Sequence, residues 1–196
     1  GALEQASAPK SLPSFFVEQL FFPYVEGTSY VRRAVKRGGW KEVDRLWTDP
    51  PLSTAEILHG DRRVIPAADL FPADASRLAP AGARLLYTDT VGEWAIRFLL
   101  KRSLTEEEAA TAAQGWQGDR LAFFLSGEDY SYLWRIRFET AGRAERFAAA
   151  LERARRGRSN APRVFRAGAD VIVSSGFAEL PSLPGLAASS DVNPRG

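Results

Sequence analysis

The sequence predicts an α+β fold, with an N-terminal helical subdomain followed by an antiparallel sheet of two hairpins packed with helices. Three observations predict it. Apolar residues recur at spacings of three and four between Ser14 and His59, the period of helices buried along one side. Two pairs of aromatic and β-branched runs, 121–125 with 132–138 and 163–165 with 171–174, each flank a short Gly-containing turn, which is a hairpin pattern. Helical stretches alternate with these pairs and not with single strands, which favours an antiparallel sheet over a wound parallel one.

Taken in order, residues 1–12 are small, polar and Pro-containing and form a flexible lead-in. The helical subdomain covers 13–60. Its first helix starts at Ser14, and Pro23 should break or kink it, since proline lacks an amide and clashes one turn back. Gly38-Gly39 ends it, after a basic last turn of Lys36 and Arg37. A short helix from Trp40 to Trp47 turns Trp40, Val43, Leu46 and Trp47 to one side, and Asp49-Pro50-Pro51 stops it. Ser53 and Glu56 have the spacing of a capping box for a third helix that ends at His59-Gly60.

Residues 61–82, rich in Pro, Ala and Asp, read as a connector to an α+β domain over 83–177. A short strand at Leu85-Leu86-Tyr87 precedes helices over 92–100 and 106–114, the second opened by a capping box of Thr105 and Glu108. The hairpin around Ser126-Gly127-Glu128-Asp129 follows, then an Ala-rich helix over 144–155 with Phe147 and Leu151 inward, then the second hairpin around Gly168. Residues 178–196 lack periodicity and are expected to form a disordered tail.

Composition narrows the function. The chain has 196 residues, 45% hydrophobic and 26% charged, an ordinary globular balance with enough length for a real core. No apolar run reaches the roughly 20 residues that cross a bilayer, so no transmembrane segment is expected. Gly1 stands where an initiator Met would, which suggests a piece of a longer protein. With no Cys, thiolate nucleophiles, disulfides and Cys-based metal sites are excluded. The net charge is only +2, and the one basic cluster, Arg153, Arg155, Arg156 and Arg158, suits the end of a helix and lacks the interleaved aromatics of a nucleic-acid surface. No nucleic-acid partner is expected.

Six residues are candidates for chemistry: His59, Asp61, Asp89, Glu93, Asp119 and Arg120. His59 is the single histidine, too few imidazoles for a common zinc site, and no Gly-x-Ser-x-Gly elbow accompanies it for a serine triad. Asp89, Glu93 and Asp119 lie beside Gly92, Trp94, Trp116 and Gly118; the plain reading makes Asp89 or Thr90 a helix cap, puts Glu93 in a first turn, and pairs Asp119 with an arginine. Gly115 to Arg120 has two glycines but no Lys and Ser/Thr of a phosphate loop, and it leads into a strand, so it reads as a corner.

An ordered series of motifs carries a resemblance. Tyr24-x-x-Gly27-x-x-Tyr30-Val31, Gly38-Gly39-Trp40, Pro50-Pro51-x-Ser53-Thr54 and Ile57-Leu58-His59 are followed by Asp89-Thr90-x-Gly92-Glu93. Ala112-Ala113-x-Gly115-Trp116-x-Gly118-Asp119-Arg120 and Trp134 with Ala144-x-x-Phe147 complete it. Over about residues 15 to 175 this resembles the downstream part of zincin-like (peptidase MA type) proteins of bacteria and archaea. The resemblance implies an exported, periplasmic or cell-surface protein, and zinc held by an upstream His-Glu-x-x-His helix in a full-length parent. Residues 1–196 contain no such helix, so no zinc ligand is carried over and no cofactor is expected of this chain. Ala55-Glu56 also stands where the family tends to have Glu-Gln, and Gly60 where Pro is common.

The function expected is therefore a non-catalytic module that packs against or serves a catalytic part, either an upstream domain or a second polypeptide. The alternative is a free-standing exported protein that binds an apolar ligand or a protein partner, with Trp40, Trp47, Trp94, Trp116 and Trp134 as pocket candidates.

Overall fold

The computed structural model describes residues 12–60, 67, 69–185 and 190–191. Asp61 and the lead-in up to residue 11 lie outside the described residues, as do 61–66 and 68 of the connector. The fold is α+β, and the chain divides into two compact units: residues 1–52 with 56–63, and residues 53–55 with 64–196.

The first unit is helical. Helix α1 (Ser14–Gly38) continues through Pro23, so the helix is not broken there. Pro23 is exposed, so the carbonyl one turn back can bond to water, and one missing amide is tolerated within 25 residues of helix. Gly39, at φ +68°, ends α1 with its amide on the Val35 carbonyl at 2.8 Å. Helix α2 (Trp40–Arg45) is shorter than its apolar spacing suggested, and Trp40 and Trp47 remain 72% and 87% exposed. Helix α3 (Thr54–His59) is tied back to α1 by Arg33, which donates to the Ile57 carbonyl, and by Arg37, which donates to that of Gly60 at 2.9 Å. The Glu56 carboxylate accepts from the Leu52 amide at 3.1 Å. No helix of the described residues is long and apolar enough to cross a membrane.

The second unit is a six-stranded antiparallel sheet in the order β1-β2-β3-β5-β4-β6. Its strands are β1 (Arg84–Asp89), β2 (Trp116–Ser126), β3 (Asp129–Phe138), β4 (Arg163–Ala167), β5 (Asp170–Ser175) and the short β6 (Ser190–Asp191). Ser126 pairs with Asp129 around Gly127 at φ +61°, and Ala167 pairs with Asp170 around Gly168 at φ +59°, so both expected hairpins form. Helices α4 (Gly92–Lys101), α5 (Glu106–Ala113) and α6 (Ala141–Arg155) cover one face of the sheet. The capping box that opens α5 is present, with the Glu108 amide on the Thr105 hydroxyl at 3.2 Å and the Thr105 amide on the Glu108 carboxylate at 3.0 Å.

Strand alternation divides the core in two. On the helical side Trp134, Ile136 and Phe138 of β3 meet Ile96 and Leu100 of α4 and Phe147 of α6. On the other side Leu133 of β3 joins Phe124, Phe165 and Ile172, covered by Phe71 and Leu78 from the connector and by Phe177 and Leu183. Residues 178–185 are thus held in place and not disordered as expected, because Leu183 is buried and the Pro184 carbonyl accepts from Arg135 at 2.7 Å. The fully buried Arg135 also donates to the Leu70 carbonyl at 2.9 Å and pairs with the buried carboxylate of Asp170. One guanidinium therefore fixes both the connector and the tail against the sheet, with its charge neutralised where water cannot reach it.

Candidate functional site

Helix α4 begins without a cap from its own neighbourhood: Val91 precedes it and offers no side-chain oxygen. The cap comes from the next strand but one helix. Asp119 of β2 accepts from the Val91 amide at 2.7 Å and the Gly92 amide at 2.8 Å. The same carboxylate takes the indole N–H of Trp116 at 2.9 Å and that of Trp134 at 2.9 Å. A bulge between Trp116 and Gly118 lets Trp116 and Asp119 face the same group, and the corner expected at 115–120 is this irregular strand start. Gly118, at φ +150°, could not be any other residue here, since a Cβ would lie 2.5 Å from the backbone nitrogen of Ala67. Burial pushes the Asp119 carboxyl above its ordinary value, while four N–H donors at a helix start favour the charged form.

The pairing of Asp119 with an arginine, expected from sequence, is therefore replaced by amides and indoles. Asp89 does not cap α4 either; its carboxylate accepts from the Thr90 amide at 2.8 Å in a local turn. Glu93 does lie in the first turn of α4, fully buried, where the Arg97 guanidinium grips it through Nε at 3.0 Å. Arg120 reaches across to the Thr88 hydroxyl at 2.6 Å. The structure thus gathers Asp119, Arg120, Thr88 and Thr90 around a recess of about 510 Å³ bounded also by Phe71 and Asp74. His59 ends α3 and belongs to the other unit. Among the described residues no three carboxylates or imidazoles converge as metal ligands.

Of the five tryptophans named as pocket candidates, Trp134 lines a pocket of the second unit. This pocket, of about 360 Å³, opens between the C-terminal ends of α4 and α6, over the helical face of the sheet. Its floor is apolar: Ile96, Leu100, Trp134, Phe147, Leu151 and Val173. Tyr132 forms one wall and continues into an aromatic row, its ring 5.7 Å from that of Phe123, which stacks on Tyr87 at 5.0 Å. Burial pushes the Tyr132 phenol up, so it stays neutral across the physiological range. Arg102, Arg155 and Arg158 stand at the edge. The volume lies near the lower end for small-molecule sites, which are likewise mostly apolar with a few polar groups.

The sequence signal for this pocket was weak because its lining is spread from Ile96 to Val173 and its floor residues are also core residues. Arg153, Arg156 and Arg158 are exposed, as a solvated helix end requires, while Arg155 is half-buried and holds Glu152 and the Pro162 carbonyl at 2.7 Å. Among the described residues the side chain of Arg158 meets the Ser103 hydroxyl, at 3.4 Å, and no carboxylate.

Sheet, helical layer and pocket together define an α+β domain built on an antiparallel sheet with helices on one face. The chain belongs to the family described as Domain of unknown function (DUF8575), whose model matches residues 83–180. Every residue lining the pocket lies within that segment. No curated protein and no solved structure matches the chain.

Proposed function

We propose that the chain is a non-catalytic module of a zincin-like, metallopeptidase-related protein, and that its second unit serves that protein by binding an apolar ligand. The pocket over Trp134 and Phe147 carries the reading, since it is an apolar concavity inside the family-matched segment. The use made of the acidic residues supports it as well. Asp119 holds the start of α4 and Glu93 is gripped by Arg97, so these carboxylates serve architecture. A general acid or base needs reach to a substrate proton and a free lone pair or proton, which a carboxylate saturated by four N–H donors lacks. Export to the periplasm or cell surface belongs to the same proposal and rests on the motif series alone.

Calorimetric titration of the purified chain with a neutral single-chain probe, decanol, tests the ligand-binding part. Saturable binding at one site, lost when the pocket is filled by substitution, is the expected result. Absence of saturable binding would end this reading. Metal analysis after dialysis tests the non-catalytic part: zinc below one equivalent and no peptidase activity are expected, and stoichiometric zinc tied to an activity would overturn it.

A further inference from the structure

We infer that the pocket between α4 and α6 selects a single-chain monocarboxylate, with the apolar chain on the Trp134–Phe147 floor and the carboxylate at Arg102 and Arg158. The inference rests on the proposed ligand-binding function and adds the chemistry of the head group.

Charge at the mouth carries it. The helices that end at Lys101 and Arg155 bring the negative ends of two helix dipoles to the pocket's edge, which by themselves would repel an anion. Three guanidinium groups stand there, more than the two helix ends need. Arg155 is committed: it holds Glu152 and donates to the Pro162 carbonyl at 2.7 Å. Arg102 and Arg158 are not. Both are exposed, and among the described residues neither has a carboxylate partner; Arg158 has only the distant Ser103 hydroxyl. Two uncommitted cations beside an apolar floor are complementary to a molecule with one anionic end, and a guanidinium presents a planar fork that fits a carboxylate.

Size limits the other end. A pocket of about 360 Å³ lies near the lower end for small-molecule sites. That size suits one medium-length chain with its head.

The test compares decanoate, decanol and decyltrimethylammonium by calorimetric titration against the wild-type chain and the Arg102→Gln/Arg158→Gln double variant. Both arginines are exposed, so the variant should fold, and an unchanged melting temperature checks this. Decanoate is expected to bind about tenfold more tightly than decanol, with the preference weakening as salt is raised, since the cations are exposed. In the double variant decanoate should fall to the affinity of decanol, while decanol is unchanged. Equal affinity of the three probes, or a decanoate preference that survives the double substitution, would overturn the head-group assignment while leaving the proposed apolar site standing. Failure of all three to bind would remove both.

Discussion

The indole N–H of Trp134 donates to the Asp119 carboxylate at 2.9 Å, and through this bond the floor of the pocket is attached to the cap of helix α4. Asp119→Ala would leave two indoles and two amides without their acceptor in a buried place. A loss of about 3 to 5 kcal/mol is expected, the scale of a broken buried charge site. Denaturant unfolding followed by tryptophan fluorescence measures it, and a change below about 1 kcal/mol would mean that water replaces the carboxylate freely. Trp134→Phe removes one donor and keeps a smaller aromatic ring, so it should cost less, about 1.5 to 3 kcal/mol.

The Arg135–Asp170 pair gives a second test, on the opposite face of the sheet. Asp170→Ala strands the fully buried guanidinium of Arg135 and also takes from Arg137, whose Nε lies 2.8 Å from the same carboxylate, one of its two carboxylate partners, leaving Asp69 at 3.0 Å. Loss of about 3 to 5 kcal/mol is expected. Replacing Arg135 by Met removes the charge, but leaves the Leu70 and Pro184 carbonyls without their donor, so proteolysis near Pro184 should speed up even if global stability recovers.

These two constellations separate what the sequence could and could not reveal. The Thr105–Glu108 box was legible because its partners are three residues apart and local geometry brings them together. The cap on α4 was not, because its acceptor lies 27 residues from Gly92 and reaches it only through sheet pairing. Hairpin turns declared themselves through Gly127 and Gly168, where positive φ favours glycine. Pro23 does not break its helix, since a proline marks a lost amide whether or not the helix stops there. The pocket was hidden for another reason. Trp134 and Phe147 look the same in sequence whether a neighbour fills the space above them or leaves it open.

The capping box yields a pH test. Hydrogen bonds from the Thr105 amide and then its hydroxyl hold the Glu108 carboxyl below its ordinary 4.5. A depressed carboxylate binds protons more weakly in the folded state, so its stabilisation is present above pH 4.5 and is lost as pH falls through the lower folded value. The melting-temperature difference between wild type and Glu108→Gln should therefore shrink on acidification within that window. A difference that grows as pH falls would reverse the sign and discard the assignment. At neutral pH Thr105→Ala should cost roughly 0.5 to 2 kcal/mol.

The last expectation concerns the pocket itself. Ala154 lies on α6, half-buried at the pocket lining, and the space before it is open, so a larger side chain can enter without displacing packed neighbours. Ala154→Phe should fill part of the 360 Å³ and add buried apolar surface. Stability is then expected to hold or rise by about 1 kcal/mol, in contrast to the loss of about 1 to 3 kcal/mol that overpacking of a filled core produces. Thermal unfolding distinguishes the two outcomes: a fall of that size would mean that the pocket closes in solution. With stability retained, binding of decanol and decanoate should weaken together, because the substitution blocks the floor they share and leaves Arg102 and Arg158 in place.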